Sequence, residues 1–198
     1  MIQHAQNKGL MPPQMLVEIE PFISKIQSLS ALLGLNLQGY EADHIALRVN
    51  DEQVAQVIDQ AWSEYGDVIS RAHINGRPIV VIALTQPIEI EEWRIKCLEL
   101  PYPAVNKTHP VEGWEHVEFV VPSDAETAQD YLAYLQQHFP ELDCSEQHLE
   151  KLGIKMKLSS PKGEGERLAN PTVAFKHQGI CIKLHPHSLA DIVASEQG

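Results

Sequence analysis

The sequence lacks the features of a membrane-spanning or secreted protein. No apolar run approaches the ~18 residues that a membrane-spanning helix needs. The first residues, MIQHAQNKGLMPP, have neither the cationic start nor the apolar stretch of a secretory signal. The three cysteines, Cys97, Cys144 and Cys181, lack the spacing of a metal finger, which favours reduced thiols. We therefore expect a cytoplasmic protein without a membrane partner.

Positive charge is also scarce. The chain carries 15 Lys and Arg against 27 Asp and Glu, a formal net charge of −12, and its basic residues form no cluster in the sequence. Surfaces that bind nucleic acid are usually basic because they neutralise phosphates. No GxGxxG pattern, phosphate loop or Ser/His/Asp arrangement stands out either. The sequence therefore disfavours nucleic-acid binding, nucleotide binding and nucleophilic hydrolysis.

One pattern does occur twice in the 198 residues. DHIALRVN (43–50) and WEHVEFVVP (114–122) alternate polar and apolar residues as strands do, and each has a His near its start. CLEL (97–100) and CIKL (181–184) differ at only two places, and each closes a strand-rich stretch. Each half reads as a strand, a helix and three strands. The sequence therefore predicts two βαβββ modules.

The predicted boundaries are a helical extension at 1–40, a first module at 41–105 and a second at 112–190. Helical spacing of apolar residues between Pro12 and Leu33 predicts two helices, with the break at Pro21. Within the modules, one helix is expected after each first strand, and NGR (75–77) predicts a hairpin turn. The second module is longer, and the extra residues are assigned to loops near 140–153 and 160–170, including the Gly-rich PKGEGE (161–166).

Alternation along the strands sorts the side chains into two faces. One face is apolar and should pack under the helices; it contains Ile45, Leu47, Val49, Val117, Phe119 and Val121. The opposite face collects polar side chains: His44, Arg48, Glu99, His116, Glu118 and Lys183, with His185 one alternation further. We expect an α+β fold in which the two modules form curved mixed sheets around a shared cavity, where these polar groups meet.

The segments DHIALRV, CLELP, EHVEFVV and CIKLH resemble the vicinal oxygen chelate superfamily, which includes glyoxalase I, extradiol dioxygenases and antibiotic-resistance binding proteins. With its helical extension, the whole chain is similar to the YecM family, a bacterial group within that superfamily. The resemblance implies that His44, Glu99 and His116 are metal ligands. Lys183 stands at the fourth ligand position, where a protonated amine has no lone pair to donate.

What the resemblance implies is a two-His, one-carboxylate site for Zn, Mn, Fe or Ni, with His185 or Glu118 as candidates for a fourth ligand. The corresponding function is a metal-dependent isomerase, lyase or dioxygenase acting on a small oxygenated substrate. Glu118 is the candidate for moving a proton. Arg48, about 13 Å along the strand from His44, and Lys183 are candidates for binding an anionic substituent.

Three other interpretations stay open at this stage. In the first, the cavity binds a small molecule without metal because Lys183 has replaced the ion. In the second, the modules form an interaction platform with a partner protein. In the third, the histidines and Glu99 are structural, and Glu99 pairs with Arg48 or Lys183. The sequence also does not decide whether the modules pair within one chain or between the chains of a homodimer.

Overall fold

The computed structural model describes residues 1–74, 76–160 and 168–196. The PKGEGE segment and Asn75 of the predicted hairpin turn lie outside these residues. The hairpin itself is present, because Ile74 and Arg77 pair across two antiparallel strands.

Seven helices and eight strands make up the described part of the chain. Three helices come first: α1 (Ile2–Asn7), α2 (Pro12–Val17) and α3 (Ile19–Leu33). The first module then contains β1 (Glu41–Arg48), α4 (Glu52–Trp62), β2 (Gly66–Ile74), β3 (Arg77–Ile90) and β4 (Trp93–Pro101). The second contains β5 (Gly113–Val120), α5 (Ala128–His138), α6 (Glu146–Leu152), β6 (Lys155–Ser159), β7 (Thr172–His177) and β8 (Ile180–His185), followed by α7 (Leu189–Glu196).

All eight strands join one mixed sheet in the order β2-β3-β4-β1-β5-β8-β7-β6. Within each module, the first and last strands run parallel, β1 beside β4 and β5 beside β8. The modules meet in the middle, where β1 and β5 pair antiparallel. The predicted α+β fold with two βαβββ units and a helical extension is confirmed. The first strand of each module therefore lies next to that of the other.

The predicted apolar face is also confirmed. One core unites the strands with α3, α4 and α5, and its strand residues include Ile45, Leu47, Val117, Phe119, Leu98, Leu100, Ile182 and Leu184. The helices after β1 and β5 begin where a side chain satisfies a free backbone N–H: Asp51 accepts from Val54, and Thr127 accepts from Asp130. We call the opposite face of the sheet, which carries the polar side chains, the site face.

The structure differs from the sequence prediction at four helical places. The break between α2 and α3 falls at Glu18, and Pro21 lies in the first turn of α3, where a missing N–H costs nothing. Three short helices were not predicted: α1, α6 and α7.

Gly34 ends α3 in a left-handed conformation (φ 69°), and an added Cβ would lie 2.4 Å from the Glu141 carbonyl oxygen.

No helix in the described ranges combines the length and the apolar character that crossing a bilayer would require.

Candidate metal centre

Four side chains from three adjacent strands converge on the site face. His44 of β1, Glu99 of β4, and His116 and Glu118 of β5 each present a potential ligand atom within 4.8 Å of the others. Glu118 Oε1 lies 3.3 Å from His44 Nε2 and 3.1 Å from His116 Nε2. Glu99 Oε2 lies 3.7 Å from His44 Nε2, and Glu99 Oε1 lies 3.8 Å from His116 Nε2. The structure therefore brings together both predicted histidines and both predicted acids.

Two β-bulges fix the orientation of the imidazole rings. In the β1–β5 pairing, Asp43 is an extra residue in β1 and Glu115 an extra residue in β5, each directly before the histidine. A bulge interrupts strict alternation and redirects side chains. Asp43 Oδ2 accepts from His44 Nδ1 at 2.9 Å, and Glu115 Oε2 accepts from His116 Nδ1 at 2.5 Å. Each ring consequently directs Nε2 toward the cluster, the arrangement found where carboxylates orient metal-binding histidines.

Lys183 of β8 enters the same cluster. It is the parallel-strand neighbour of Glu118, and its ammonium donates to Glu118 Oε1 at 2.6 Å and to His116 Nε2 at 3.0 Å. In the other module, the corresponding neighbours are Ala46 and Glu99. The second module therefore has a carboxylate on its first strand and a lysine on its last strand, whereas the first module has its carboxylate on the last strand.

His185 lies beside this cluster in a second group with Asp43 and His44. Its Nδ1 accepts from Asn170 Nδ2 at 2.9 Å, and the amide orientation of Asn170 is fixed because its oxygen accepts from the backbone N–H of His187 at 3.1 Å. A neutral imidazole that accepts at Nδ1 carries its proton on Nε2. That N–H lies 3.7 Å from Glu118 Oε2. In this tautomer, Nε2 of His185 carries a proton and lies 3.6 Å from Asp43 Oδ2, which does not favour its predicted role as a metal ligand.

Arg48 is placed away from the four-residue cluster. Its Nε lies 3.0 Å from Glu115 Oε2, the same oxygen that accepts from His116. Neither Nε nor Nη1 of Arg48 has a partner with hydrogen-bond geometry among the described residues, although the side chain is buried. Arg48 therefore connects to the cluster through Glu115, a residue that the sequence analysis did not single out.

Access to the cluster is narrow. His44 and His116 are 3% and 0% exposed, whereas Glu99 and Lys183 retain 14% and 23%. A ligand would reach the site past Glu99 and Lys183. Two cavities lie elsewhere in the described structure: about 280 Å³ beside Trp93 at the end of α3, and about 440 Å³ near Trp114, lined by the turn after α1 and by the first half of α3. Neither is lined by a residue of the cluster.

The charges of the cluster reinforce one another. Burial alone would lower the pKa of His44 and of Lys183, but the neighbouring carboxylates together outweigh that effect and raise both: Glu118 with Asp43 for His44, and Glu118 with Glu99 for Lys183. Burial would raise the pKa of Glu118, yet Lys183 and then His44 hold it well below its ordinary range. Glu118 is therefore an ionised carboxylate and Lys183 an ammonium. Without a divalent ion, a proton on His44 supplies part of the balancing charge, and ion binding would release it.

The donor set fits a divalent ion on two observations. The buried His44 Nε2 has no hydrogen-bond partner in the described part of the chain, and it faces two carboxylates. His116 Nε2 accepts from Lys183 and therefore carries a lone pair. Burial raises the pKa of the neighbouring Cys181 thiol to about 12, which disfavours a thiolate ligand. The Lys183 ammonium opposes a cation at this place, and its side chain is 23% exposed.

Comparison with known proteins identifies the chain as a relative of bacterial proteins with the same overall fold. The family model described as YecM protein matches residues 12–196. Protein YecM of Escherichia coli (strain K12) is 41% identical over 180 residues, covering 91% of each chain. An uncharacterized protein of Haemophilus influenzae is 36% identical over 174 residues, covering 85% of this chain and 86% of the relative.

A solved structure supports the same relationship. The structural-genomics target Protein EC4020 superposes with a TM-score of 0.78 at 36% identity, covering 96% of this chain and 93% of the other. The chain belongs to the YecM family.

Proposed function

We propose that this protein is a metal-dependent enzyme of the vicinal oxygen chelate type that acts on a small oxygenated substrate. One observation carries the proposal: two imidazole Nε2 atoms and two carboxylates meet on the site face, while buried carboxylates hold both Nδ1 atoms. The duplicated βαβββ unit, with one such histidine on each first strand, supports the superfamily assignment. The reaction class is an isomerisation, a lyase reaction or a dioxygenation.

His44, His116 and Glu99 would hold the ion, with Glu118 within reach as a further ligand. A bound divalent ion would supply Lewis acidity toward adjacent substrate oxygens. Zn, Mn, Fe and Ni are all compatible with nitrogen and oxygen donors.

Glu118 is the residue that would move a proton. Its carboxylate lies within the cluster, and Lys183 anchors Oε1 at 2.6 Å. His185 Nε2 lies 3.7 Å from the other oxygen, Oε2, without a hydrogen bond between them. Lys183 and Arg48 would hold an anionic substituent of the substrate because they are the cations beside the cluster.

The test is a metal analysis of the protein purified without a metal-binding tag. Inductively coupled plasma mass spectrometry should find near-stoichiometric Zn, Mn, Fe or Ni in the wild type. His44→Ala and His116→Ala should lose it, because each removes a ligand nitrogen. His148→Ala, which changes a histidine on α6 that is 38% exposed, is the matched control and should retain it. Absence of metal after anaerobic incubation with each ion, or retention by both site variants, would overturn the proposal.

A second function is favoured by Lys183. Its ammonium already contacts two of the four candidate ligands, as a cation replacing the metal would. In that case, the site face binds a small molecule without metal chemistry. Ligand binding would then stabilise the protein against thermal unfolding to the same degree with and without a chelator. A metal-dependent protein would instead lose stability when the chelator removes the ion.

A further inference from the structure

A group of positively charged side chains surrounds Arg48 on the site face. Arg48, Arg77, Lys107 and Lys176 come from β1, β3, the connector between the modules and β7, so they are far apart in the sequence. We call this group the basic subsite. The chain as a whole carries a net charge of −12, so a convergence of cations at one place needs a specific explanation.

The connector is held over this face by Asn50, just after β1. The Asn50 side chain donates to the His109 carbonyl at 2.8 Å and accepts from the His109 backbone N–H at 2.7 Å. Its own backbone N–H donates to Glu112 at 2.8 Å. These bonds fix the connector, which carries Lys107, beside the end of β1.

The four cations influence one another directly. Burial lowers the pKa of Lys107, and the charges of Arg48, Arg77, Lys157 and Lys176 lower it further. The guanidinium of Arg77 is oriented by a hydrogen bond from Nη1 to the Tyr102 carbonyl at 3.0 Å. Burial and then the charge of Arg48 lower the pKa of Arg77 as well. The cations therefore lie close enough to repel one another, which an occupant of opposite charge would relieve.

Acidic side chains balance only part of this charge. Glu115 is the one carboxylate of the described residues that forms an ion pair with Arg48, at 3.0 Å, or with Lys176, at 3.5 Å. Glu115 also accepts from His116. In the described part of the chain, no carboxylate pairs with Arg77 or Lys107. A buried guanidinium with Nη1 unpartnered is costly unless a ligand supplies the missing acceptor.

We propose that the basic subsite binds an oxyanion, a carboxylate or phosphate carried by the substrate, next to the His–carboxylate cluster. Glu115 links the two regions because one of its oxygens contacts both His116 and Arg48. A small molecule can therefore place its reacting oxygens at the cluster and its anionic end at Arg48. The substrate is, in this view, an oxygenated organic acid or a phosphate ester. The role as a substrate anchor rests on the proposed function, but oxyanion binding does not require a metal.

The subsite is tested by isothermal titration calorimetry with two probes, inorganic phosphate and malonate, at constant ionic strength. Wild-type protein should bind at least one probe saturably, and the preferred probe identifies the oxyanion as phosphate or carboxylate. Lys107→Ala should weaken that binding roughly tenfold because it removes a charge-assisted contact. Arg48→Gln should weaken it at least as much.

Since Lys107 is exposed, its variant stays informative even if the buried Arg48 variant fails to fold. Lys151→Ala, an exposed lysine on α6, is the control and should bind like the wild type.

Saturable binding that Lys107→Ala weakens and Lys151→Ala leaves intact supports the subsite. No saturable binding by the wild type, or equal weakening by Lys107→Ala and Lys151→Ala, would overturn it. Metal content measured on the same samples separates the two proposals. Specific oxyanion binding by metal-free protein would leave the subsite standing and remove the metal-dependent function. A metal-loaded protein that binds neither probe would remove the subsite and leave the metal-dependent function standing.

Discussion

Each histidine of the candidate centre is preceded in the chain by the carboxylate that holds it. Asp43 and Glu115 accept the Nδ1–H of His44 and His116, so the ring orientation that directs Nε2 into the cluster is set within each dipeptide. Burial would raise the pKa of Glu115, but its bond to His116 and the charges of His116 and Arg48 lower it strongly. Glu115 therefore stays ionised. Removing these carboxylates should weaken the site without removing any ligand.

Replacing Glu115 with Gln is expected to weaken metal binding about 10–100-fold, because a neutral amide holds the imidazole less firmly and makes it less basic. The dissociation constant is measured by competition with a chromophoric chelator. Glu41→Gln, a change to an exposed acid on β1 with no contact to a histidine of the cluster, should have little effect. An affinity for Glu115→Gln within twofold of the wild type would mean that the carboxylate does not orient a ligand.

Strand alternation placed the ligand candidates on one face and the family resemblance implied their role, whereas neither indicated these two carboxylates. Alternation places consecutive residues on opposite faces, so Asp43 and Glu115 were expected to point away from the histidines. They reach the imidazoles because each lies in a bulge of the β1–β5 pairing. A bulge arises when two strands pair, and therefore neither strand's own pattern indicates it. The dipeptides DH and EH were the only signal available.

Between the helices and the sheet, Asp59 links three separate elements. Its carboxylate accepts from both terminal nitrogens of Arg71 on β2, at 2.7 and 3.1 Å, and from the hydroxyl of Tyr102, just after β4, at 2.8 Å. Asp59 itself lies on α4. From Tyr102, the chain continues into the connector that carries Lys107. This network therefore fixes α4 against the sheet and secures the start of the connector.

The Tyr102 hydroxyl makes the stability of this network depend on pH. Burial, the hydrogen bond to Asp59 and the Asp59 charge raise the pKa of Tyr102 from 10.0 to about 12. Between these values the folded protein keeps a proton that the unfolded chain loses. The contribution to the free energy of unfolding is thus complete below about pH 10 and declines as the pH rises toward 12.

Tyr102→Phe should lower the free energy of unfolding by about 1 kcal/mol at pH 7, the typical contribution of one hydrogen bond. The difference in the free energy of unfolding between the wild type and Tyr102→Phe should be smaller at pH 11, where the wild type loses part of the contribution of Tyr102. Urea unfolding at both pH values measures this difference. Tyr65→Phe, whose hydroxyl has no hydrogen-bond partner among the described residues, is the control for removing a hydroxyl. An equal difference at pH 7 and pH 11 would contradict the assignment.

Long elements were predictable and short ones were not. The helices after β1 and β5 have caps and apolar stripes, and the strands of the site alternate clearly. The helix α6 has only seven residues, with Leu149 as its one buried residue, so no periodicity distinguishes it from a loop. Its neighbours Asp143 and Ser145 are also typical of turns. Tertiary packing, rather than local propensity, determines such elements.

Across the whole molecule, the two modules are related but not equivalent at the site. The sequence indicated a missing ligand where Lys183 stands. The pairing of β5 with β8 places Glu118 directly beside Lys183, so the centre still contains two carboxylates. Because this arrangement depends on how four strands join at the middle of the sheet, the motifs alone did not decide it. The duplication also explains why the histidines meet: β1 and β5 are neighbours.

X-ray absorption fine structure of the zinc-loaded wild-type protein examines the metal centre itself. We expect two imidazole nitrogens together with carboxylate oxygens at about 2.0–2.2 Å, and no sulfur at about 2.3 Å. That result would place His44 and His116 on the ion with Glu99 or Glu118. Failure to bind zinc, or a spectrum without imidazole scattering, would contradict a metal centre on the site face and leave Lys183 as the cation of the cluster.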